Sequence, residues 1–174
     1  MDALDIQYHQ TPVGELVLGS FGNRLCLCDW KFRKNRAPID KRIKNCLHVE
    51  FVEENSETLT LATHQLDEYF ERKREKFTVP LLFCGTDFQK WVWNELLKIP
   101  YGKTLSYLEL SKNVNNTKAV RAVASANGAN ALSLFVPCHR VVGSDNKLVG
   151  YAGGLQAKKK LLELEKNELQ QELF

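Results

Sequence analysis

Residues 106–126 read SYLELSKNVNNTKAVRAVASA, and the fold of the chain turns on how that stretch divides. Ser106 can cap a short helix from about Tyr107 to Lys112, because its hydroxyl can accept from a first-turn amide that has no partner inside the helix. The polar run Asn113-Val114-Asn115-Asn116 interrupts that helix, and a second one is expected to start near Thr117. Two short helices joined by a tight polar turn form a helix-turn-helix unit. The second helix, Lys118–Ala126, is rich in alanine, which gives strong helix propensity and a slim cross-section. Its backbone can therefore approach another surface closely, at Ala119, Ala122 and Ala126, with Arg121 as the one long cation in its middle. The same composition also suits a helix packed tightly on a core with Arg121 in water.

Upstream, Thr86 or Asp87 can cap a helix that opens at Phe88 and runs through Val92 and Leu96. It stops at Ile99-Pro100, since the residue before a proline is pushed out of the helical region. Downstream, Asn127-Gly128-Ala129-Asn130 ends the alanine helix and leads into the apolar run Leu132–Val142. That run carries Val136-Pro137-Cys138-His139-Arg140-Val141-Val142. A free thiol has a pKa of about 8.5 and is a weak nucleophile until deprotonated. A nearby imidazole, directly or through a water, is the ordinary base for that proton. The bare Cys-His pair is equally compatible with a packed cysteine beside a histidine. Gly143-Ser144-Asp145-Asn146 then turns the chain, and Gly150-Tyr151-Ala152-Gly153-Gly154 is a glycine-rich loop where a ligand can come close. A last helix from about Leu155 is amphipathic through Leu161, Leu162 and Leu164, and Glu165 on it can reach back toward the cysteine.

The first 85 residues have a different grammar. Glu15–Phe21 and Leu25–Trp30 are β-prone runs around Gly22-Asn23, a hairpin signal. The basic stretch Lys31–Pro38 reads as a solvated loop, and 48–52 as a further strand. Leu59, Ala62, Leu66, Tyr69 and Phe70 recur at helical spacing. The expected fold class is α+β. A small N-terminal α/β domain with an antiparallel sheet, residues 1–85 including a linker, precedes a mostly helical C-terminal domain, residues 86–174, that contains the helix-turn-helix.

Of 174 residues, 24 are Lys or Arg and 21 Asp or Glu, a net charge of +3 that is unevenly spread. Residues 86–162 hold 11 basic against 4 acidic side chains, whereas residues 1–85 hold 12 against 13 and the tail, with Glu163, Glu165, Glu168 and Glu172, is acidic. A basic half suits a polyanion partner, or simply solvated helix faces. No run is long and apolar enough for a membrane span. The N-terminus, Met1-Asp2-Ala3-Leu4-Asp5, lacks the apolar core of a secretory signal. Five cysteines without framework spacing fit a reducing cytoplasm. Cys26 and Cys28 with His9, His48 or His64 have no recognisable zinc spacing, so neither metal nor cofactor is expected.

Taken in order, these residues resemble one family. They are Gly85-Thr86-Asp87-Phe88-Gln89 with Val92-Trp93, Ile99-Pro100-Tyr101-Gly102, Ser106-Tyr107, Arg121-Ala122-Val123, Asn127, Asn130, the Val136–Val142 run and Gly150–Leu155. The set is similar to the methylated-DNA–protein-cysteine methyltransferases, or O6-alkylguanine-DNA alkyltransferases, over about half the chain, Gly85 to Glu165. The resemblance implies a single-turnover DNA-repair protein that moves the O6-alkyl group of guanine irreversibly onto Cys138, with O4-methylthymine as a second substrate. It implies His139 as the base acting through a water, Glu165 as its orienting carboxylate, and Tyr107 as proton donor to guanine N3. Double-stranded DNA would be bound through the minor groove by a monomer, with Arg121 filling the place of the flipped nucleotide. Asn130 would be the hinge before the cysteine segment and Ser144 would lie near the DNA backbone. The backbone around Cys138 and Val141 would read the guanine edge. Ala152 stands where some relatives carry serine, which leaves only a backbone N–H toward O6. One alternative on this fold is a catalytically inert lesion-binding protein, a kind that lacks the acceptor cysteine. Another is an unrelated cysteine hydrolase, which leaves Tyr107 and Arg121 without a task.

Overall fold

The computed structural model of the protein describes residues 2–166; the tail positions Glu168 and Glu172 lie outside the described residues. The chain begins with three antiparallel strands, β1 (Asp2–Thr11), β2 (Gly14–Phe21) and β3 (Arg24–Trp30). Their register is fixed by pairs such as Tyr8 with Val17 and Leu16 with Trp30. Helix α1 (Arg36–Leu47) then carries the chain across the sheet, and β4 (Val49–Glu53) pairs with β1 in parallel, Leu4 opposite Phe51. The sheet order is β3-β2-β1-β4, antiparallel except at this last pair. The parallel pair follows from α1, because a helical crossover returns the chain in the same direction. The expected hairpin and the strand after residue 48 are both present. The expected loop over Lys31–Pro38 is half helix. Pro38 is no obstacle there, since it sits in the first turn of α1, where backbone N–H groups have no helical partner.

Both faces of the sheet are covered. Ile39 and Ile43 of α1, one helical turn apart, bury against Leu4, Val17 and Leu27. On the other face, α2 (Glu57–Phe70) lays Leu59, Ala62, Leu66 and Tyr69 on Leu16, Leu18 and Trp30, and the same core continues into the second half of the chain. The outer edge of β3 is not left open, as an unpaired strand edge would be. Leu25 N donates to Pro80 O and Leu82 N to Leu25 O, each 2.8 Å. Cys28 N donates to Ala131 O at 2.7 Å and Ser133 N to Cys28 O at 2.8 Å. The segment that leads to Cys138 is therefore stitched onto the first sheet.

The second half is built on α3 (Asp87–Leu96), α4 (Tyr107–Asn113), α5 (Val120–Gly128) and α6 (Leu155–Leu164). Thr86 with Gln89 and Ser106 with Glu109 form reciprocal capping boxes that start α3 and α4 where the sequence places them. Val114–Asn116 and a single tight turn at Thr117–Ala119 join α4 to α5. Trp93 of α3, 2% exposed, packs against α5 and donates its indole N–H to Ala126 O at 2.8 Å. Strands β5 (Leu105–Ser106) and β6 (Val141–Val142) form a two-residue parallel pair. That pair ties the start of α4 to the end of the cysteine segment and so brings Tyr107 and Cys138 to one place. Among the described residues no helix is long and apolar enough to cross a membrane. Replacing Trp93 by Phe removes the indole hydrogen bond and leaves the Ala126 carbonyl only Ala129 N, at 3.2 Å; it is expected to cost about 1–3 kcal/mol, and Trp93→Ala about 3–5 kcal/mol. Urea unfolding measures both, and a smaller loss for Trp93→Ala than for Trp93→Phe would contradict the packing described.

Candidate active site

Cys138 begins a one-turn 3₁₀ segment, Cys138–Arg140, and is 4% exposed. It lies at the floor of a cleft of about 390 Å³. Tyr107 at the start of α4, Asn127 near the end of α5, Asn130 and the loop Gly150-Tyr151-Ala152 form its walls, closed on the far side by Arg33 and Lys34 from the turn before α1. Two glycines let the loop come this close. Gly150 has φ +58°, with its Cβ position 3.9 Å from the Tyr107 hydroxyl, and a Cβ on Gly153 would stand 2.3 Å from the Trp30 indole. Lys158 of α6 holds the same loop from beneath, its buried ammonium donating to Val149 O and Gly150 O at 3.1 Å each. With no carboxylate beside it, burial lowers its pKa to about 8, against a smaller upward pull from Cys138.

Directly behind the cysteine, three side chains meet on one buried carboxylate. Glu165, 2% exposed, accepts from Tyr69 Oη at 2.8 Å, from Arg140 Nε at 2.9 Å and from Arg140 Nη2 at 3.0 Å. His139 Nε2 lies 2.7 Å from Glu165 Oε1. Arg140 also donates Nη1 to Ile99 O at 2.7 Å. Burial alone would raise the Glu165 pKa, but hydrogen bonds and charges from His139 and Arg140 outweigh it and hold the group at about 2. The imidazole is fully buried, which lowers its pKa against the pull of Glu165. Its Nδ1 is buried with no hydrogen-bond partner among the described residues. Burial raises the Cys138 thiol pKa, while the Asn130 side chain and the positive charges of Lys158 and Arg33 act to lower it.

The residues expected to form the site divide into four groups. Cys138, Tyr107, Asn130 and Ala152 share the cleft. His139 and Glu165 lie one layer beneath it, as just described. Arg121 and Ser144 are exposed at the surface outside it, Ser144 beside two residues with positive φ, Asp145 (57°) and Asn146 (59°). Val141 is fully buried, and its backbone pairs with Leu105. Asn130 lines the cleft, but its carboxamide is committed to Leu132 N and Val136 O at 2.9 and 3.0 Å, so it holds the turn before the cysteine. Lys118 in the turn before α5 and Arg121, Ala122, Ser125 and Gly128 on it form the exposed stripe, one helical face by their spacing. Ala126 does not belong to it, being buried against Trp93.

Comparison with known proteins identifies the family. The family described as "6-O-methylguanine DNA methyltransferase, DNA binding domain" matches residues 87–167, and its "ribonuclease-like domain" matches residues 6–83. The chain belongs to the methylated-DNA–protein-cysteine methyltransferases. Members from Methanosarcina barkeri and Mycobacterium leprae are 42% and 40% identical to it, over 92% and 91% of this chain and 96% and 90% of theirs. Among solved structures, Mycobacterium tuberculosis OGT in complex with DNA superposes with a TM-score of 0.79 at 37% identity, covering 95% of this chain and 93% of its own. The O6-methylguanine-DNA methyltransferase of Pyrococcus kodakaraensis gives 0.66 at 26% identity, covering 93% and 98%.

Several residues of this methyltransferase site escape a reading of the sequence. Tyr69 and Arg33 come from the first half, where nothing announces chemistry. Arg33 pairs with the fully buried Asp29, Nη1 to Oδ2 at 3.2 Å, and donates to the carbonyls of Gly128 and Asn130 at the end of α5. Arg42 of α1 donates to Ala129 O at 2.7 Å. The basic stretch of the first half is therefore in part a clamp on α5. Lys158 is hidden among Lys158-Lys159-Lys160, where only its helical phase distinguishes it. Because the Glu165 pKa is depressed from 4.5 to about 2, its contribution to stability is fully present above about pH 4.5 and is lost as pH falls toward 2. Glu165→Gln is expected to cost about 3–5 kcal/mol near neutral pH, with the gap to wild type narrowing steadily in urea unfolding as pH falls from 4.5 toward 2. A gap that does not change with pH would contradict the assignment.

Proposed function

We propose that this chain repairs alkylated DNA by moving the O6-alkyl group of guanine onto Cys138. The observation that carries the reading is a single thiol at the floor of a base-sized cleft, backed by a buried His-Glu pair and flanked by a helix with an exposed small-residue stripe. The Cys138 sulfur attacks the alkyl carbon in line with the C–O bond, and the bonding pair leaves with O6 into the purine ring. The thiol proton passes through an intervening water to His139, whose Nδ1 has no partner among the described residues. Glu165 fixes the ring from the other side and stabilises the imidazolium that forms. Tyr107 donates its phenolic proton to guanine N3 as charge arrives there. Its pKa is raised, by burial first and by Cys138 second, so the phenol holds its proton at neutral pH.

The alkylated carbon is inside a stacked duplex, so the nucleotide must swing out to reach Cys138. Arg121 stands one turn before Ala124, which lines the cleft, and is suited to fill the space the nucleotide leaves. Lys118, on the same stripe, adds charge toward phosphate, and Ser144 lies on the loop nearest the strand. Contacts of this kind in the minor groove read little sequence, as a protein that must find lesions anywhere requires. The backbone near Cys138 and the Ala152 N–H face the base edge, with O4-methylthymine as a second substrate. The thioether at Cys138 has no chemical route back, so each chain acts once. Five free cysteines fit a reducing cytoplasm, and the protein works as a monomer without metal or cofactor.

Cys138→Ser is expected to abolish transfer while lesion binding persists; methyl transfer by that variant would overturn the mechanism. Arg121→Ala is expected to lose about ten- to a hundredfold in rate on duplex lesions, matching the few kcal/mol that unstacking costs. Its rate with free O6-benzylguanine, which needs no flipping, should stay near wild type. Equal loss on both substrates would remove Arg121 from the flipping step.

A further inference from the structure

Two cysteines far apart in sequence meet where the halves of the chain join, and the chemistry above uses neither. Cys46 stands in the last turn of α1 and is exposed. Cys84 immediately precedes Gly85-Thr86, the start of α3, and is 4% exposed. Their neighbours bring them together. Arg42, one helical turn before Cys46 on the same face of α1, lies over the Trp93 ring with Cζ 5.3 Å from its centroid. That ring presses on Gly85, where a Cβ would stand 2.4 Å from it. Cys84 shares a core cluster with Ile43, and Leu47 packs on the same cluster, so α1 brackets it from both sides of Cys46. The Cys46 thiol lies against the Cys84 thiol, and the Arg42 guanidinium is near both.

The pair divides the work of thiol–disulfide exchange, an accessible thiol to meet the oxidant and a sheltered one to resolve it. Burial first, and the Cys46 thiol second, push the Cys84 thiol up, so it keeps its proton while Cys46 is free. Arg42 pulls the other way, and its Nε is buried with no hydrogen-bond partner among the described residues. A positive charge and an unspent donor are thus at hand for a thiolate at Cys84. We propose that Cys46 and Cys84 are a thiol-modification site, which a small-molecule disulfide such as oxidised glutathione closes to a protein disulfide while Cys138 stays a thiol. The Cys46 sulfur attacks one sulfur of the oxidant, the S–S bond breaks, and one glutathione leaves with the Cys46 proton. Cys84 then attacks the Cys46 sulfur of the mixed disulfide and expels the second glutathione, which takes the Cys84 proton. Two protein thiols are oxidised, and one small disulfide is reduced to two thiols. The new bond would tie α1, whose Arg42 holds Ala129 O after α5, to the start of α3, whose Trp93 holds Ala126 O on α5. Cys138 is 4% exposed, so the oxidant meets Cys46 first.

The test exposes the full chain to oxidised glutathione, unfolds it in N-ethylmaleimide to block the remaining thiols, and maps its peptides without reduction. The expected product has Cys46 linked to Cys84, with Cys26, Cys28 and Cys138 all blocked as thiols. Closure should run at least about tenfold faster than glutathione addition at Cys138, an order-of-magnitude expectation from exposure. Cys84→Ser removes the resolving thiol, so Cys46 should then hold glutathione as a lasting mixed disulfide. In Cys46→Ser, Cys84 should stay unmodified. A wild-type chain that does not react, keeps glutathione on Cys46, links another pair or loses the Cys138 thiol first would overturn the proposal, and that result needs no variant to fold. The map reads thiols and not methyl transfer, so its outcome is separate from that of the alkyltransferase reading.

Discussion

The Glu165 carboxylate is the point on which the rest of the structure depends. A buried anion is tolerated only when its oxygens are filled, and here three parts of the chain meet at it. Tyr69 comes from α2 of the first half, His139 and Arg140 from the turn that carries the cysteine, and Glu165 itself follows α6. The network joins the two halves of the protein at the same place where it aims an imidazole. Arg140 extends it to the Ile99 carbonyl after α3, so the residue between the histidine and the next strand is also fixed. Removing Glu165 or Arg140 strands the other's charge in the interior, and the position of Cys138 is thereby coupled to the stability of the fold.

The first half of the chain is more than a spacer. The open edge of β3 is closed by Ala131 and Ser133, so the polypeptide entering the cysteine turn is held as if it were a fifth strand. Arg33 and Arg42 then satisfy carbonyls at the C-terminal end of α5, where cations are electrostatically favoured. Arg33 is itself held by Asp29, a fully buried carboxylate on β3. The cleft at Cys138 is therefore walled by both halves, and the orientation of the exposed α5 stripe relative to Cys138 is set by residues distant in sequence.

How much of this was legible beforehand follows from the range of the interactions. Caps are local, so Thr86, Ser106 and the starts of α3 and α4 could be read from spacing alone. The Val136–Val142 run, Tyr107, Arg121 and the glycine loop were legible because several motifs occur in a fixed order, although each alone is weak. Strand β1 and helix α1 were not read. Strand β1 is half polar, and α1 hides behind a basic stretch with a proline that happens to fall in its first turn. Tyr69 looked like one more apolar position of an amphipathic helix, and its hydroxyl found Glu165 only through tertiary packing. Ala126 reads from spacing as part of the outward face, but Trp93 claims it for the core. Lys158 gains meaning only once the loop and the cleft exist.

The account makes one chemical commitment above the others, that a buried thiol behind a cleft accepts the alkyl group and keeps it. Its most direct test is a titration of the protein with excess O6-methylguanine duplex, following intact mass and mapping the Cys138 peptide. Transfer that stops at one methyl per chain, all of it on Cys138, with guanine restored in the DNA, is the predicted result. Continued turnover, a methyl on another residue, or lesion binding with no adduct at all would contradict it.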